Sequence, residues 1–87
     1  MKSAGSLESS DCLITVNYNK EKNNTVTIES IVFDQFGDQI LEVINSTLEQ
    51  LDKKNINILC QDKGALDYTI KARLTTALKR LEGESNE

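Results

Sequence analysis

Apolar and polar residues alternate along three short stretches of the chain, and each of them predicts a β-strand. The first stretch covers 12–18, the second covers 25–29 and is rich in β-branched residues, and the third covers 55–61. Alternation with a period of two is typical of a strand with one buried face. The polar run 19–24 joins the first two stretches and predicts a hairpin turn between them.

Two longer stretches carry apolar residues every three or four positions, the spacing of a helix with one apolar face. The first runs over 36–51, and we expect Asp34 to cap its N-terminus. The second opens with 62–64 and gives way to a polar end from Gly83 onwards. The positions predicted to face the core are Phe36, Ile40, Val43, Ile44, Leu48 and Leu51 in the first helix and Leu66, Ile70, Leu74, Ala77, Leu78 and Leu81 in the second.

The predicted element order ββαβα indicates an α+β fold with two layers. Each helix has a single apolar stripe, so we expect both helices to pack on one face of a three-stranded sheet. The stretch 12–18 is the most apolar strand and is placed at the centre, with the other two strands as antiparallel neighbours. A chain of 87 residues has room for one domain, which we assign to residues 11–82.

The first ten residues differ from the rest, because they contain four serines and one glycine but, after Met1, a single large apolar residue, Leu7. Such a segment buries too little apolar surface to offset the entropy lost when it becomes ordered. We therefore predict a flexible N-terminal tail over 1–10 and a polar C-terminal tail over 83–87.

The composition excludes most catalytic chemistry. The chain has no histidine, so neither a Ser/His/Asp nor a Cys/His arrangement can activate a nucleophile. It has 10 basic and 14 acidic residues, a formal net charge of -4, and no dense basic cluster that would neutralise a row of phosphates. We predict a protein without catalytic residues of its own and without a nucleic-acid partner.

The two cysteines, Cys12 and Cys60, lie far apart and lack the C-x-x-C spacing of metal or redox sites. We interpret them as small buried hydrophobic residues on strands and expect no metal site. No apolar run approaches the ~20 residues of a membrane span, and polar residues follow Met1 where a signal peptide would be apolar. We expect a soluble, cytoplasmic protein that binds no membrane.

One face of the first predicted helix is acidic. On a helical wheel its acidic residues collect within roughly a quarter turn on the side opposite the apolar stripe. They are Asp34, Asp38, Glu42, Glu49 and Asp52. We interpret this face as a solvated surface, with docking of a basic partner as the alternative.

The candidate for a functional site is the segment 5–11, Gly-Ser-Leu-Glu-Ser-Ser-Asp. An unassisted serine is a poor nucleophile, yet its hydroxyl is a good acceptor for a phosphodiester that another enzyme attaches. Small, flexible neighbours supply the access that such an enzyme needs. Composition alone favours a disordered tail and leaves a modification site as the alternative.

Three strings of the chain carry a family resemblance. They are the segment 5–11, Gln-Phe-Gly-Asp at 35–38, and Asp-Lys-Gly-Ala-Leu-Asp at 62–67, followed by Ala-Arg-Leu at 72–74. Together they resemble the acyl carrier protein family of citrate lyase, its γ subunit. The strings are spread over almost the whole chain in the family's order. The Asp-Ser-Leu motif of helical pantetheine carriers is absent, which argues against a fatty-acid or polyketide carrier.

The resemblance implies a carrier of 2'-(5''-phosphoribosyl)-3'-dephospho-CoA, attached by a phosphodiester to Ser9 in the Leu-Glu-Ser element. In the family, the thiol of this arm carries acetyl and citryl groups while citrate is cleaved to acetate and oxaloacetate. Both steps belong to partners, the α subunit (acyl transferase) and the β subunit (citryl lyase), and a prosthetic-group transferase attaches the arm. Ser10 stands where glycine is common in the family, and Ser10 is the alternative acceptor.

Two other functions stay open at this point. The carrier subunits of citramalate lyase and malonate decarboxylase use the same type of arm, although the Leu-Glu-Ser and 62–67 strings favour citrate lyase. The alternative from another class is a protein-interaction module that docks through its acidic helix and carries no cofactor.

Two side chains of the second predicted helix have two interpretations each. Tyr68 lies opposite the leucines, either as a single exposed aromatic residue or as a subunit contact. Arg73 borders the apolar face, and we expect its stem to pack along the core with its head in solvent. A contact between Arg73 and the phosphates of the arm is the second interpretation.

Overall fold

The computed structural model describes residues 1–85. Its elements are β1 (Lys2–Gly5), β2 (Cys12–Tyr18), β3 (Thr25–Ser30), α1 (Phe33–Gln50), β4 (Ile56–Asp62) and α2 (Asp67–Ser85). The predicted order ββαβα is therefore present from β2 onwards, with β1 as an additional strand in front. Within the described residues, no helix combines the length and the apolar character needed to cross a lipid bilayer.

The four strands form one mixed sheet in the order β1-β2-β4-β3. β2 runs antiparallel to β1 and β4, while β3 runs parallel to β4. The predicted three-stranded sheet is wrong in its strand number, and the predicted hairpin at 19–24 is also wrong, because β4 lies between β2 and β3. Alternation shows which face of a strand is buried but carries no information about which strand lies beside it.

β1 arises from the segment that was predicted to be a flexible tail. Lys2 pairs with Val16 and Gly5 pairs with Leu13, so β1 forms an edge strand beside β2. Ala4 is the one buried residue of β1, and backbone hydrogen bonds hold the rest of the strand. Composition carries no signal for such bonds, which is why the tail prediction failed here.

One face of the sheet and the inner faces of both helices form the core. Across the sheet, Ala4, Ile14, Cys60 and Ile28 lie in register on this face. The buried apolar residues are Ala4, Cys12, Ile14, Val16, Ile40, Ile44, Leu48, Ile56, Ile58, Cys60, Ile70, Leu74, Ala77, Leu78 and Leu81. α1 packs on β3 and on α2, and α2 packs on β1 and β2. This arrangement confirms two layers with both helices on one face of the sheet.

Three predicted core positions near the helix ends are exposed. Phe36 is 45% exposed, Leu51 is 37% exposed and Leu66 is 59% exposed. Leu51 follows the last residue of α1, Leu66 precedes the first residue of α2, and Phe36 lies in the first turn of α1. Apolar spacing identifies the face of a helix better than it locates the helix ends.

The cap predicted at Asp34 is wrong, because Val32 occupies the N-cap position of α1 and no side chain caps it. The hydroxyl oxygen of Ser30 accepts a hydrogen bond from the backbone N–H of Val32 over 3.1 Å. Asp34 lies in the first turn instead, where a carboxylate interacts favourably with the helix dipole. The polar end predicted from Gly83 is also helical as far as Ser85, and positions 86–87 of the predicted tail lie outside the described residues.

Cys12 and Cys60 are free and fully buried on neighbouring strands, as the sequence predicted. A hydrogen bond between the two thiols, together with burial, raises the pKa of Cys60 above its usual range. The Cys60 thiol therefore stays protonated at neutral pH, and both cysteines behave as small core residues.

Candidate functional site

A hairpin joins β1 to β2, and we call its connecting residues, 6–11, the serine loop. At the base of the loop, the backbone N–H of Ser6 donates to the carbonyl oxygen of Cys12 over 3.1 Å. Gly5 permits this close approach, since its φ is 99° and a Cβ atom there would lie 1.8 Å from the same carbonyl oxygen. The hairpin therefore requires glycine at this position.

The tip of the serine loop is a four-residue turn over 8–11. The backbone N–H of Asp11 donates to the carbonyl oxygen of Glu8 over 3.1 Å, which leaves Ser9 and Ser10 as the central residues. Ser10 has a φ of 66°, the left-handed conformation that the third position of a type II turn requires. The segment predicted as a flexible tail is thus a strand followed by a closed turn.

Asp11 fastens the serine loop through its carboxylate. Its Oδ1 accepts hydrogen bonds from the backbone N–H of Cys12 over 2.7 Å and from Nε of Arg73 over 3.0 Å. Its Oδ2 accepts from the hydroxyl of Ser6 over 2.8 Å and from Nη2 of Arg73 over 3.4 Å. These donors, with Arg73 first, lower the pKa of Asp11 to about 2. The guanidinium of Arg73, expected in free solvent, is therefore bound to this carboxylate.

Two backbone hydrogen bonds join the serine loop to the loop between β4 and α2. The N–H of Ser10 donates to the carbonyl oxygen of Lys63 over 2.9 Å, and the N–H of Lys63 donates to the carbonyl oxygen of Asp11 over 2.9 Å. The bonds continue the pairing of β2 with β4 beyond the ends of both strands. They fix the backbone of Ser10 against the loop between β4 and α2.

Asp62, the last residue of β4, holds the second loop in shape. It is 1% exposed. Its carboxylate accepts hydrogen bonds from the Ser30 hydroxyl over 2.8 Å, from the backbone N–H of Gly64 over 3.1 Å and from that of Ala65 over 2.9 Å. A buried carboxylate with three donors is well satisfied, and this one ties together the ends of β3 and β4 and the approach to α2.

Ser9 lies at the exposed apex of the turn. None of the hydrogen bonds found within residues 1–85 engages its side chain. A serine hydroxyl without a neighbouring base is a weak nucleophile, but it is accessible to an enzyme that approaches from outside. The arrangement suits a hydroxyl that is modified by another protein, with Ser10 beside it as the second exposed serine.

The three strings singled out in the sequence meet at one end of the molecule. The serine loop and the 62–67 string are joined by the two backbone bonds just described. The 35–38 string begins α1, and Gln39 directly after it donates through Nε2 to both carboxylate oxygens of Asp67, over 2.9 and 3.1 Å. Segments far apart along the chain are therefore linked to one another at the end of the molecule that carries Ser9.

The other candidate surfaces lie where the sequence placed them. The acidic residues of α1 and its C-terminal end, Asp34, Asp38, Glu42, Glu49 and Asp52, are all exposed. Tyr68 is 72% exposed on the first turns of α2. Docking of a basic partner to the acidic face and a subunit contact at Tyr68 stay predictions.

Sequence patterning missed an apolar groove between the beginnings of α1 and α2. The groove has a volume of about 520 Å³, and Phe36, Leu66 and Tyr68 are among the residues that line it. Phe36 and Leu66 were assigned to the core because they continue the apolar stripes of the helices. The one sequence feature that could have predicted their exposure is their position at the helix starts.

Comparison with known proteins places the chain in a family. The family model described as "Malonate decarboxylase delta subunit (MdcD)" matches residues 1–81. A citrate lyase acyl carrier protein from Halothermothrix orenii is 49% identical over 87 residues, which cover 98% of this chain and 89% of that relative. This chain belongs to the citrate lyase acyl carrier protein family.

Other citrate lyase acyl carrier proteins are similarly close. One from Streptococcus mutans is 53% identical over 77 residues, covering 88% of this chain and 76% of the relative. One from Streptococcus pyogenes is 49% identical over 80 residues, covering 92% of this chain and 78% of the relative. No solved structure matches the chain significantly.

Membership of the citrate lyase acyl carrier protein family confirms the resemblance carried by the three strings. It also confirms that the chain is a carrier and not a catalytic subunit. An acyl carrier holds its acyl group on a covalently bound prosthetic group, so the family implies one attachment residue in this chain.

Proposed function

We propose that this chain is the acyl carrier subunit of citrate lyase and that its prosthetic group is attached to Ser9. The observation that supports Ser9 is its position at the exposed apex of a turn whose base is fixed by Gly5 and Asp11. A loop that is already folded presents its hydroxyl to a modifying enzyme with little loss of conformational entropy. The names of the relatives support citrate lyase as the parent complex.

The group we propose is 2'-(5''-phosphoribosyl)-3'-dephospho-CoA, joined to Oγ of Ser9 by a phosphodiester. The surroundings of the serine loop fit a group of this kind. A Cβ atom built on Gly64 would meet nothing within 4 Å, so the space beside the loop is open. Lys63 next to it offers a cation for a phosphate. Arg73 is less suited to that role, because its guanidinium is bound to Asp11.

When bound, the group supplies a terminal thiol that holds an acyl group as a thioester. The residues of this chain provide the tether: Ser9 fixes the attachment point, while Asp11 and Arg73 fix the loop. A covalent tether keeps the acyl group at a high effective concentration near two different catalytic sites. The partners we propose are the α subunit (acyl transferase), the β subunit (citryl lyase) and the prosthetic-group transferase, all in the cytoplasm.

The mass of the intact chain tests the proposal. The lyase complex is purified from the native host, and the carrier is separated and weighed by mass spectrometry. We expect one added group per chain, released by cleavage of a phosphodiester. A chain that is unmodified throughout a fully assembled, active complex would overturn the carrier function.

Single substitutions test the attachment residue. The chain is coexpressed with the transferase, and the fraction modified is measured for Ser9→Ala and for Ser10→Ala. Both serines are exposed, but only the backbone of Ser10 is hydrogen-bonded to Lys63, so we expect Ser9→Ala to abolish the modification and Ser10→Ala to retain it. The opposite result would move the site by one residue.

The carrier subunit of malonate decarboxylase is a second candidate, favoured by the description of the matching family model. The two functions differ in the enzyme that copurifies with the chain. Retention of citrate cleavage activity on a tagged carrier supports the citrate lyase assignment, whereas retention of malonate decarboxylation supports the second candidate.

A further inference from the structure

The groove between α1 and α2 has the size and composition of a small-molecule site. Its volume of about 520 Å³ lies within the usual range for ligand pockets, which are mostly apolar with a few polar groups. The apolar wall consists of Val32, Phe36, Ile40, Ala65, Leu66 and Tyr68. Gln39, Asp62 and Asp67 supply the polar groups.

The apolar wall of this groove is open to water. Phe36 is 45% exposed, Leu66 is 59% exposed and Tyr68 is 72% exposed. Covering exposed apolar surface stabilises a complex. Three large exposed apolar side chains around one concave site therefore favour a ligand that brings apolar surface of its own.

The groove begins close to the proposed attachment point. Gly64 lines the groove, and the N–H of Ser10 donates to the carbonyl oxygen of Lys63, the residue before Gly64. With standard backbone dimensions, this path places the Cα atoms of Ser9 and Gly64 at most about 9 Å apart. An arm that contains a ribosyl phosphate, a dephospho-CoA and their linking phosphates is much longer than this span.

Polar groups in the groove match the amides of such an arm. Gln39 donates through Nε2 to the carboxylate of Asp67. That bond orients the amide of Gln39 and leaves its Oε1 as an acceptor for an amide N–H. The pantetheine part of dephospho-CoA has two amide groups and a branched apolar segment, so it pairs with both the polar and the apolar features.

We propose that this groove holds the pantetheine part of the arm between acyl transfers. The inference rests on attachment of the arm to Ser9. Because the arm is tethered, its effective concentration at the groove is in the millimolar range, and weak contacts are enough to keep it bound most of the time. The thioester is then sheltered while the carrier moves from one catalytic subunit to the other.

A second cavity of similar size is a poorer site for the arm. It has a volume of about 490 Å³ and is lined by Tyr18, Lys53 and Glu82, among other residues. Tyr18 is the last residue of β2, whereas the serine loop precedes the first residue of β2. Seven strand residues at about 3.3 Å each separate the two ends by roughly 20 Å. Lys53 and Glu82 also form an ion pair with each other there.

The first test compares the unmodified and modified chains in solution. Carrier with the arm attached, verified by its intact mass, is treated with hydroxylamine to remove the acyl group. Amide chemical shifts are then compared with those of the unmodified chain. We expect changes at Phe36, Ala65 and Leu66 in addition to those in the serine loop. Changes confined to the serine loop would overturn the groove assignment while leaving the attachment intact.

The second test measures shelter of the thiol by its rate of reaction with a disulfide reagent, with free coenzyme A as the reference. Cys12 and Cys60 are fully buried, so we expect their thiols to react little with the reagent. The Ser9→Ala chain, which carries no arm, measures this background reaction. We expect the thiol of the arm to react roughly fivefold more slowly than the free thiol, the protection that a weak site gives at millimolar effective concentration.

Matched variants connect this protection to the groove. Leu66→Asp and, independently, Tyr68→Asp are expected to remove it, and both side chains are exposed enough for the chain to keep its fold. Leu51→Asp makes the same kind of change at an exposed position beyond the far end of α1 and is expected to retain it. Unchanged protection in both groove variants would overturn the proposal.

Loss of affinity for the catalytic subunits in Leu66→Asp, with no change in thiol reactivity, would also overturn it and show that the groove receives a partner protein. A carrier whose intact mass shows no added group would be a different result. It would remove the attachment at Ser9 and the inference together.

Discussion

Arg73 and Asp11 join α2 to the serine loop, with Nε of Arg73 3.0 Å from Oδ1 of Asp11. The two residues are 62 positions apart in the sequence. The same carboxylate accepts hydrogen bonds from Ser6 and from the backbone N–H of Cys12. One side chain thus connects the base of the loop, the loop itself and the helix behind it, and it sets the position of Ser9 relative to the rest of the fold.

Replacement of Arg73 by glutamine is expected to loosen the serine loop. Without the guanidinium, the pKa of Asp11 rises from about 2 towards the ordinary value of 3.8, and it stays below that value because Ser6 and the Cys12 N–H still donate to the carboxylate. NMR titration of the Asp11 carboxyl measures the shift. Amide hydrogen exchange in the loop is expected to become faster.

Arg80→Gln is the matched control for that change. Arg80 lies on the same helix and donates through Nη1 to the carbonyl oxygen of Ser3 over 2.7 Å, without a bond to Asp11. The Arg80→Gln substitution also removes one positive charge but leaves the contacts of the Asp11 carboxylate in place. An equal rise of the Asp11 pKa in both variants would show that net charge, and not the direct contact, lowers it.

Stability is expected to depend on pH through Asp11. Its folded-state pKa of about 2 lies below the ordinary value of 3.8, so the ionised form is favoured in the folded state. The resulting stabilisation is complete well above pH 3.8, decreases as the pH falls below that value, and is lost below about pH 2. Because the pair is partly exposed, Asp11→Asn is expected to lower Tm by a few degrees at neutral pH.

Melting curves from pH 7 to pH 2 check this expectation, since the Tm values of the wild-type and Asp11→Asn chains should converge as the pH falls. A difference that stays constant over the whole range would assign the stabilisation to hydrogen bonds that do not depend on ionisation.

Substitution of Ser10 by glycine is expected to stabilise the chain by up to about 1 kcal/mol. Ser10 has a φ of 66°, a conformation that costs most residues about 1–2 kcal/mol and glycine almost nothing. The greater entropy of glycine in the unfolded chain offsets part of this gain. Urea unfolding measures the change, with Ser9→Gly as the control. A loss of stability in Ser10→Gly, equal to that in Ser9→Gly, would contradict the explanation.

Removal of the Asp62 carboxylate is expected to lower the free energy of unfolding more than the other substitutions do. Asp62→Ala leaves the Ser30 hydroxyl and the N–H groups of Gly64 and Ala65 without their acceptor. Buried donors without a partner cost about 1–3 kcal/mol each where water cannot reach them, and we expect a total loss of about 2–4 kcal/mol. Glu42→Ala removes an exposed acid of α1 and should change the free energy of unfolding by less than about 0.5 kcal/mol. Similar losses in both variants would argue against the role of the buried carboxylate.

Much of the fold could be predicted because apolar spacing is a local property. The alternation at 12–18 identified β2, and the stripe containing Ile70, Leu74 and Leu78 identified α2 and its buried face. The ends of the buried helix faces were harder to predict. Phe36 and Leu66 continue the apolar spacing, but they lie at the helix starts, where both side chains are exposed.

The surroundings of the candidate site were less predictable than its central residue. The string around Ser9 is contiguous in sequence, so a family resemblance could point to it. The contact of Arg73 with Asp11 and the bonds of Lys63 to the serine loop join residues from distant parts of the chain. No local pattern encodes which distant side chain will meet a given carboxylate.

The sequence by itself determined the two helices, three of the strands, the burial of Cys12 and Cys60, and Ser9 as the residue to test, because each follows from residues that are neighbours along the chain or from one contiguous string. Only the tertiary structure decided that β4 lies between β2 and β3, that Lys2–Gly5 adds a fourth strand, and that the supposed tail is a closed turn. These features depend on backbone hydrogen bonds between distant segments, and such bonds use groups that almost every residue has.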